Sequence, residues 1–556
     1  MTGLLDPSLL DWVVLRHWQR GACTAVTGRA LWQQATAQAA WIAARTPPAA
    51  LVLVIGTTGP AMMALFLGIA ASGRRAAFFP PASPLQDARH FFEQQGAALR
   101  AIDPAAICVM EEATAETVRA IAPDLAPRIL AVPPAEGDSV AALDAFRARL
   151  GSDETLFVQH SSGTTGIKKA VAISGRMLAA QSAAYWPGLR AELGVARLSV
   201  ASWLPLYHDM GLVAGFLLPM LGGDQVSVLD PFEWIGSPGR FLEMIAADRC
   251  DIAWMPNFAY RHFVRLRRAL PPADLSSLRL WVDCSEPCRL ADAEGFESAF
   301  ADRGVRPGAV VGCYAMAETV FAVSQGSGAR RRGLAVPGPL APGTPMPASG
   351  ALLVESGTAA PAGHRLVLSS GRVLPGVELA ILDGERRLPP GHYGEIALRA
   401  PFLFSGHAGR SAAESGLDTE GYYRTGDLGT VWEEEVFVFG RLKEIIIVNG
   451  KNLFAGDVEA ALAALPGLRP GRAVAFGIDS DQTGSEELIL VAEHDAASGI
   501  PEAECRAAIS RHLERVFLVK PRDVRVVPDR WLVKSTSGKI SRDANRRRYL
   551  ETFRQD

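Results

Sequence analysis

The chain predicts an α/β protein: a large N-terminal domain of α/β sheets with a small β-rich subdomain, then a small C-terminal α+β domain. Three observations lead there. The 556 residues are enough for three to four domains or subdomains. Between about 50 and 320, short apolar β-branched runs alternate with helical patterns, the rhythm of strand–helix units. After Ser324 the texture shifts to Gly, Pro and Ala, and then to short strands and turns.

The elements follow in order. Leu51-Val52-Leu53-Val54-Ile55 suits a buried strand, 61–71 a short buried helix, and Ala76-Ala77-Phe78-Phe79 the next strand. The uncharged run from Ala50 to Gly73 is no membrane span, because Gly56-Thr57-Thr58-Gly59-Pro60 breaks it into pieces that are too short. Further strands are expected at 157–158, 199–203, 225–229, 252–255, 278–282 and 310–312, with helices at 238–248 and 291–303. An insertion of loops and weak strands is expected at about 325–370, and the β-rich subdomain at about 371–440. Together 1–440 make the N-terminal domain. The remaining 441–556 make the C-terminal domain, with helices near 457–465 and 502–516.

Composition excludes several classes. Hydrophobic content is 49% and charged content 21%, ordinary for a globular protein with a sizeable core. A net charge of -3 offers no global field for nucleic acid or an anionic membrane. The seven cysteines form neither a disulfide framework nor a zinc spacing, which points to buried thiols in a reducing compartment. No signal peptide is expected from the first residues, so the location expected is cytoplasmic.

The most telling stretch is Ser161-Ser162-Gly163-Thr164-Thr165-Gly166-Ile167-Lys168-Lys169, set between the apolar runs 156–158 and 170–173. Glycines, hydroxyls and ammonium groups are what a triphosphate needs from a loop. It is not the P-loop pattern, which ends in Gly-Lys-Ser/Thr and opens a helix. A solvated hairpin turn is the alternative.

Five further segments stand in order: WLPLYHDMGL (203–212), GCYAMAET (312–319), YRTGD (423–427), GRLKEIIIVNGKN (440–452) and STSGKISR (535–542). Together with the loop they resemble the adenylate-forming (AMP-binding) superfamily of acyl-CoA synthetases, luciferases and adenylation domains, over roughly 50–550. Three features are similar to the fatty acyl-AMP ligase branch: the HDMGL string, PNFAY at 256–260, and the stretch at 324–370 where that branch carries an insertion.

The resemblance implies the chemistry and its residues. ATP and Mg2+ are the cofactors, and a fatty acid and a phosphopantetheine-bearing acyl carrier protein the partners. Ser161, Ser162, Gly163, Thr164, Thr165, Gly166 and Lys169 would cradle the phosphates. Ser285, Glu286, Pro287 and Cys313 would line the adenine pocket and Tyr314 would stack on the base. Glu318 would ligate magnesium and Thr319 would meet the α-phosphate. Asp427 would take both ribose hydroxyls, a natural bidentate use of a carboxylate, with Arg441 beside it. Lys539 would swing in from a mobile C-terminal domain, pivoting at Lys443, to stabilise charge growing in the transition state. His208 would stand between the acyl and phosphate sites. Asp209, Met210, Gly211, Trp254 and Met255 would line the acyl site, although Asp209 also permits an amino-acyl or β-amino-acyl substrate and the apolar residues suit plain core. Lys168, Ala170, Val533 and Gly406-His407 depart from the family's usual residues without removing a chemical group. The reaction implied is acyl-adenylate formation with release of pyrophosphate, then transfer to the carrier. An acyl-CoA synthetase is the runner-up, and a catalytically dead nucleotide-binding scaffold the alternative from another class.

Overall fold

A computed structural model describes residues 7–84, 87–160, 170–285, 288–337, 340–355, 357, 361, 364–407, 410–448, 451–463, 465–480, 485–535 and 539–553. Two sheets organise the large domain. The smaller has six strands in the order Ile129–Ala131, Ala106–Val109, Leu51–Ile55, Arg75–Phe78, Thr155–His160 and Ala170–Ser174. Its neighbours run parallel except the last pair, an antiparallel hairpin with Val158 opposite Ala172 and His160 opposite Ala170. The expected strand–loop–strand is therefore present in its flanks, while Ser161 to Lys169 lie outside the described residues.

The larger sheet has fourteen strands among the described residues. One half is parallel: Val13–Gln19, Gln225–Leu229, Ser199–Ser202, Ile252–Met255, Leu280–Asp283 and Val310–Ala315 lie side by side in that order. The first of these and the helix Gly28–Ala43 fall before the start of the expected α/β rhythm. Val13–Gln19 lacks an uninterrupted apolar run, because Arg16 and His17 sit within it; Arg16 reaches Asp248 at 2.7 Å.

The β-rich stretch is not a separate sheet. Ala322–Gln325 turns back antiparallel on Val310–Ala315 and leads through Arg372–Val373 to Glu435–Arg441, Tyr423–Trp432, Gly394–Arg399 and Glu378–Asp383. The stretch read as loops and weak strands contains a sheet of its own. Arg332–Val336 pairs with both Leu352–Glu355 and Arg365–Leu368.

The small domain has its own core. Leu468–Ser480, Ser485–His494 and Asp523–Val527 form a sheet. Val458, Ala475, Leu490, Ile509 and Leu513 pack on one side and Val474, Val491 and Tyr549 on the other. The turn that displays Lys539 is closed at its base: Ser535 N–H donates to the Lys539 carbonyl at 2.7 Å, and Lys534 bridges Ile540. Asn545, fully buried, anchors this turn by accepting from Val533 N–H at 2.8 Å and donating to the carbonyls of Val533 (2.9 Å) and Ser541 (2.7 Å). Asn545→Ala takes the acceptor from Val533 N–H, at roughly 1–3 kcal/mol for a donor left unsatisfied, while the Val533 and Ser541 carbonyls keep their bonds from Ser541 N–H and Asn545 N–H, each at 3.0 Å. The small domain is expected to unfold at lower urea than the large one in that variant, a shift that hydrogen exchange of the amides of 488–491, set against those of Ile252–Met255, would follow.

Among the described residues no helix is long and apolar enough to cross a membrane.

Candidate active site

In parallel α/β sheets, ligands sit beyond the carboxyl ends of the strands. Here those ends gather the expected residues. Ser199–Ser202 leads into His208 and Asp209, Ile252–Met255 ends at Met255, Leu280–Asp283 leads to Cys284 and Ser285, and Val310–Ala315 carries Cys313 and Tyr314 into Glu318 and Thr319.

After Asp209 the chain runs through a π-helix, Met210–Leu217, a rare form that recurs at functional sites. Close packing makes its glycines necessary. A Cβ at Gly211 would stand 2.3 Å from the Pro205 carbonyl oxygen, and one at Gly215 2.6 Å from Ser202 Oγ. The Asp209 carboxylate accepts from Met210 N–H at 2.9 Å and faces His208 Nδ1 at 3.4 Å. Burial pushes Asp209 up, but the His208 contact, the Met210 N–H and the Lys539 ammonium outweigh it and hold the carboxyl below its ordinary value.

Ser285 sits across from this corner, its Oγ 3.9 Å from the Met210 sulfur. It adopts a left-handed φ of +71°, and its carbonyl accepts a hydrogen bond from Lys539 Nζ. A lysine of the small domain therefore reaches the loop beyond a central strand of the large one. Arg289 adds a second tie, donating to the Gly456 carbonyl at 3.2 Å. Glu286 and Pro287, between these two anchors, lie outside the described residues.

Glu318 and Thr319 sit on a tight loop. Phe321 N–H donates to the Thr319 carbonyl at 2.7 Å across Val320, whose φ is +66° and ψ -54°. That is a γ-turn of the strained, positive-φ kind. For a β-branched residue it costs roughly 1–3 kcal/mol and marks sites where geometry has been imposed. The Thr319 hydroxyl, fully buried, lies 3.1 Å from the Met316 carbonyl and 3.0 Å from that of Phe321. Burial raises the Glu318 carboxyl, with Arg441 and the Tyr423 hydroxyl pulling the other way.

The Asp427 and Arg441 positions are cross-strand partners on adjacent antiparallel strands. Asp427 accepts from the Tyr314 hydroxyl at 2.7 Å and from Arg441 Nε at 3.1 Å. Burial is the larger influence and leaves Asp427 above its ordinary value despite Arg441. Lys443 lies two residues on, exposed in the short turn Leu442–Glu444 that follows the last strand of the large sheet's β-rich half.

His208, Asp209, Met210, Gly211, Ser285, Cys313, Tyr314, Glu318, Thr319, Asp427, Arg441 and Lys539 thus lie in one region beyond the strand ends. Trp254 and Met255 are placed differently from an open channel lining: they are 1% and 0% exposed. Trp254 stacks on Trp186 with ring centroids 6.0 Å apart and donates to Tyr185 Oη at 3.1 Å. Two contributors were not singled out from the sequence. Tyr423, the first letter of YRTGD, lies against Glu318. Gln159, two residues before Ser161, donates to the Val320 carbonyl at 3.1 Å.

A corner at the strand ends, flanked by a carboxylate–arginine pair and reached by a lysine from a second domain, is the arrangement expected of an adenylate-forming enzyme. The chain belongs to the AMP-binding enzyme family, which matches residues 10–407. It is 29% identical to the long-chain-fatty-acid–AMP ligase FadD32 of Mycolicibacterium smegmatis, across 94% of this chain and 89% of that protein. It is 29% identical to the medium-chain-fatty-acid–[acyl-carrier-protein] ligase JamA of Moorena producens, across 72% and 69% of the two chains. A solved structure from studies of the fatty acyl-adenylate ligases of E. coli and L. pneumophila superposes with a TM-score of 0.79 at 22% identity, covering 100% of this chain and 98% of that one.

Proposed function

We propose that the protein activates a fatty acid with ATP and transfers the acyl group to an acyl carrier protein. The carrying observation is Lys539, which reaches from the small domain to the Ser285 carbonyl in the corner that also holds Asp209 and Glu318. A carboxylate oxygen of the acid attacks the α-phosphorus, a P–O bond forms, and the bond to pyrophosphate breaks. Lys539 meets the charge that gathers on the oxygens between acid and phosphate. Asp427 and Arg441 hold the ribose end, so that the reactants meet in line. In the second half, the phosphopantetheine thiol loses its proton and attacks the acyl carbonyl. A C–S bond forms and AMP leaves.

Glu318 suits Mg2+. Among the described residues no cluster of three His, Cys, Asp or Glu side chains could cage a metal. One carboxylate working with substrate phosphates is the usual way this ion is held. Bound there, the ion would neutralise phosphate charge. The seven cysteines are thiols and not disulfides, which suits a reducing cytoplasm.

Carrier protein is preferred over CoA because of the inserted sheet. Leu334, Val336 and Val367 of that sheet share one apolar cluster with Phe437 and Phe439 of the large domain and with Phe454 beyond the 443 turn. Such packing restrains the rotation that CoA transfer needs. FadD32 and JamA, named for AMP and carrier-protein ligation, fit this choice. Incubation with a panel of fatty acids, ATP, and either holo-carrier protein or CoA tests it. Acyl-carrier product is expected, and abundant acyl-CoA would reject the acceptor. Phe454→Ala is expected to raise acyl-CoA formation above the wild-type trace; no rise would remove the inserted sheet as the restraint.

A further inference from the structure

The γ-turn behind Glu318 and Thr319 is gripped from both sides by buried amides. Gln159 Nε2 donates to the Val320 carbonyl at 3.1 Å, and Gln181 Oε1 accepts from Phe321 N–H at 3.2 Å. The Phe321 N–H is thus shared between the turn's own Thr319 carbonyl and a side chain of the helix Gly175–Leu193. The polarities are opposite: one backbone group needs a donor and the other an acceptor, so each amide can face the turn in one orientation only.

Simple core filling does not account for this pair. Gln159 is 6% exposed and Gln181 0%. The far end of each amide, Gln159 Oε1 and Gln181 Nε2, has no hydrogen-bond partner among the described residues. An apolar side chain of similar shape would avoid that desolvation loss. The one thing each amide gains is its bond to the turn. Location strengthens the point, since Gln159 lies on the strand that runs directly into the hydroxyl-rich loop. The same side chain therefore ties the base of that loop to the segment carrying Glu318.

We propose that Gln159 and Gln181 are positioning residues, which hold Val320 in its strained turn and so fix Glu318 and Thr319 relative to the strand Thr155–His160 and the helix Gly175–Leu193. This rests on the adenylation reading and adds to it the device that fixes the segment carrying Glu318 and Thr319. In the free energy of the turn, the clamp offsets the penalty of a β-branched residue at positive φ. Glycine at 320 would incur little such penalty.

The test uses Gln159→Met and Gln181→Met, near-isosteric changes that delete only the hydrogen bonds, in the full-length enzyme. Each is expected to lower kcat for acid-dependent pyrophosphate release roughly tenfold or more, as misalignment of reacting groups does, with KM for the fatty acid within about twofold. Adding Val320→Gly to either variant is expected to recover at least about threefold in kcat, because the turn then forms without its clamp. Independently of activity, backbone amides of 316–323 are expected to exchange hydrogen roughly tenfold faster in the Met variants. Wild-type kcat with wild-type exchange would overturn the proposal, as would a loss that Val320→Gly leaves unrestored. If the wild-type chain released no acid-dependent pyrophosphate, the assigned reaction would fail, while the exchange measurement would still judge the clamp.

Discussion

Lys539→Ala is expected to lower acid-dependent pyrophosphate release by at least ~10²–10³-fold, the usual cost of deleting one preorganised charge stabiliser. ATP binding by calorimetry should persist, because the residues proposed to hold the ribose, Asp427 and Arg441, stand on the large sheet and are untouched by the change. The structure sharpens this expectation. The ammonium is parked on the Ser285 carbonyl, close enough to Asp209 to help hold that carboxyl below its ordinary value. Its turn is fixed from beneath by Asn545 and by the salt bridges of Arg542 to Glu459 at 2.9 Å and to Glu444 at 2.7 Å. Little reorganisation separates this arrangement from one in which phosphate and carboxylate oxygens take the carbonyl's place. Lys539→Arg should not restore the rate, since a planar guanidinium presents its donors differently from a compact ammonium. Unchanged adenylate formation in Lys539→Ala would remove this residue from the mechanism.

The expectations that came from periodicity match where the pattern is local. Gln225–Leu229 and Ile252–Met255 fall on the expected residues because each is an uninterrupted buried strand. Val13–Gln19 was not legible because ion pairing, not apolar patterning, settles its Arg16. The inserted sheet was hidden because Leu352 is 50% exposed, so its strand lacks the alternation of a half-buried one. The union of the β-rich stretch with the parallel sheet was equally invisible, since it rests on short pairings such as Arg372 with Glu435 between residues far apart in sequence. The residues that the structure brings together beyond the strand ends were legible as ordered motifs. What the motifs could not carry was the means of holding them: the positive φ at Val320, the amides of Gln159 and Gln181, and the hydroxyl of Tyr423 all depend on long-range contacts. Trp254 marks the opposite limit, because a core aromatic and a channel lining look alike in one dimension.

Asp427→Asn separates activity from stability in opposite directions. An ionised Asp427 offers acceptors to two hydroxyls; the amide offers one oxygen, and its NH2 would face the Arg441 donor. Hydrogen bonds to a charged group contribute roughly 1.5–3 kcal/mol, so kcat/KM for ATP is expected to fall about 10–100-fold with kcat less affected. Burial holds Asp427 and Glu318 above their ordinary values. The acid limb of kcat/KM for ATP is therefore expected above the normal carboxylate range: as pH falls through these raised values, each carboxylate gains a proton and loses its role. In Asp427→Asn that limb should keep only the Glu318 contribution. Stability runs the other way. A carboxyl raised on folding contributes stability that is fully present below its unfolded pKa and is lost as pH rises through the folded one. At neutral pH the wild type thus carries a buried, destabilising charge, and its ion pair with the half-exposed Arg441 returns little. Asp427→Asn is expected to melt at the wild-type temperature or higher at neutral pH, and to lose that advantage in acid. A variant that melts lower at neutral pH while keeping wild-type kcat/KM for ATP would make Asp427 a structural carboxylate and remove it from nucleotide recognition.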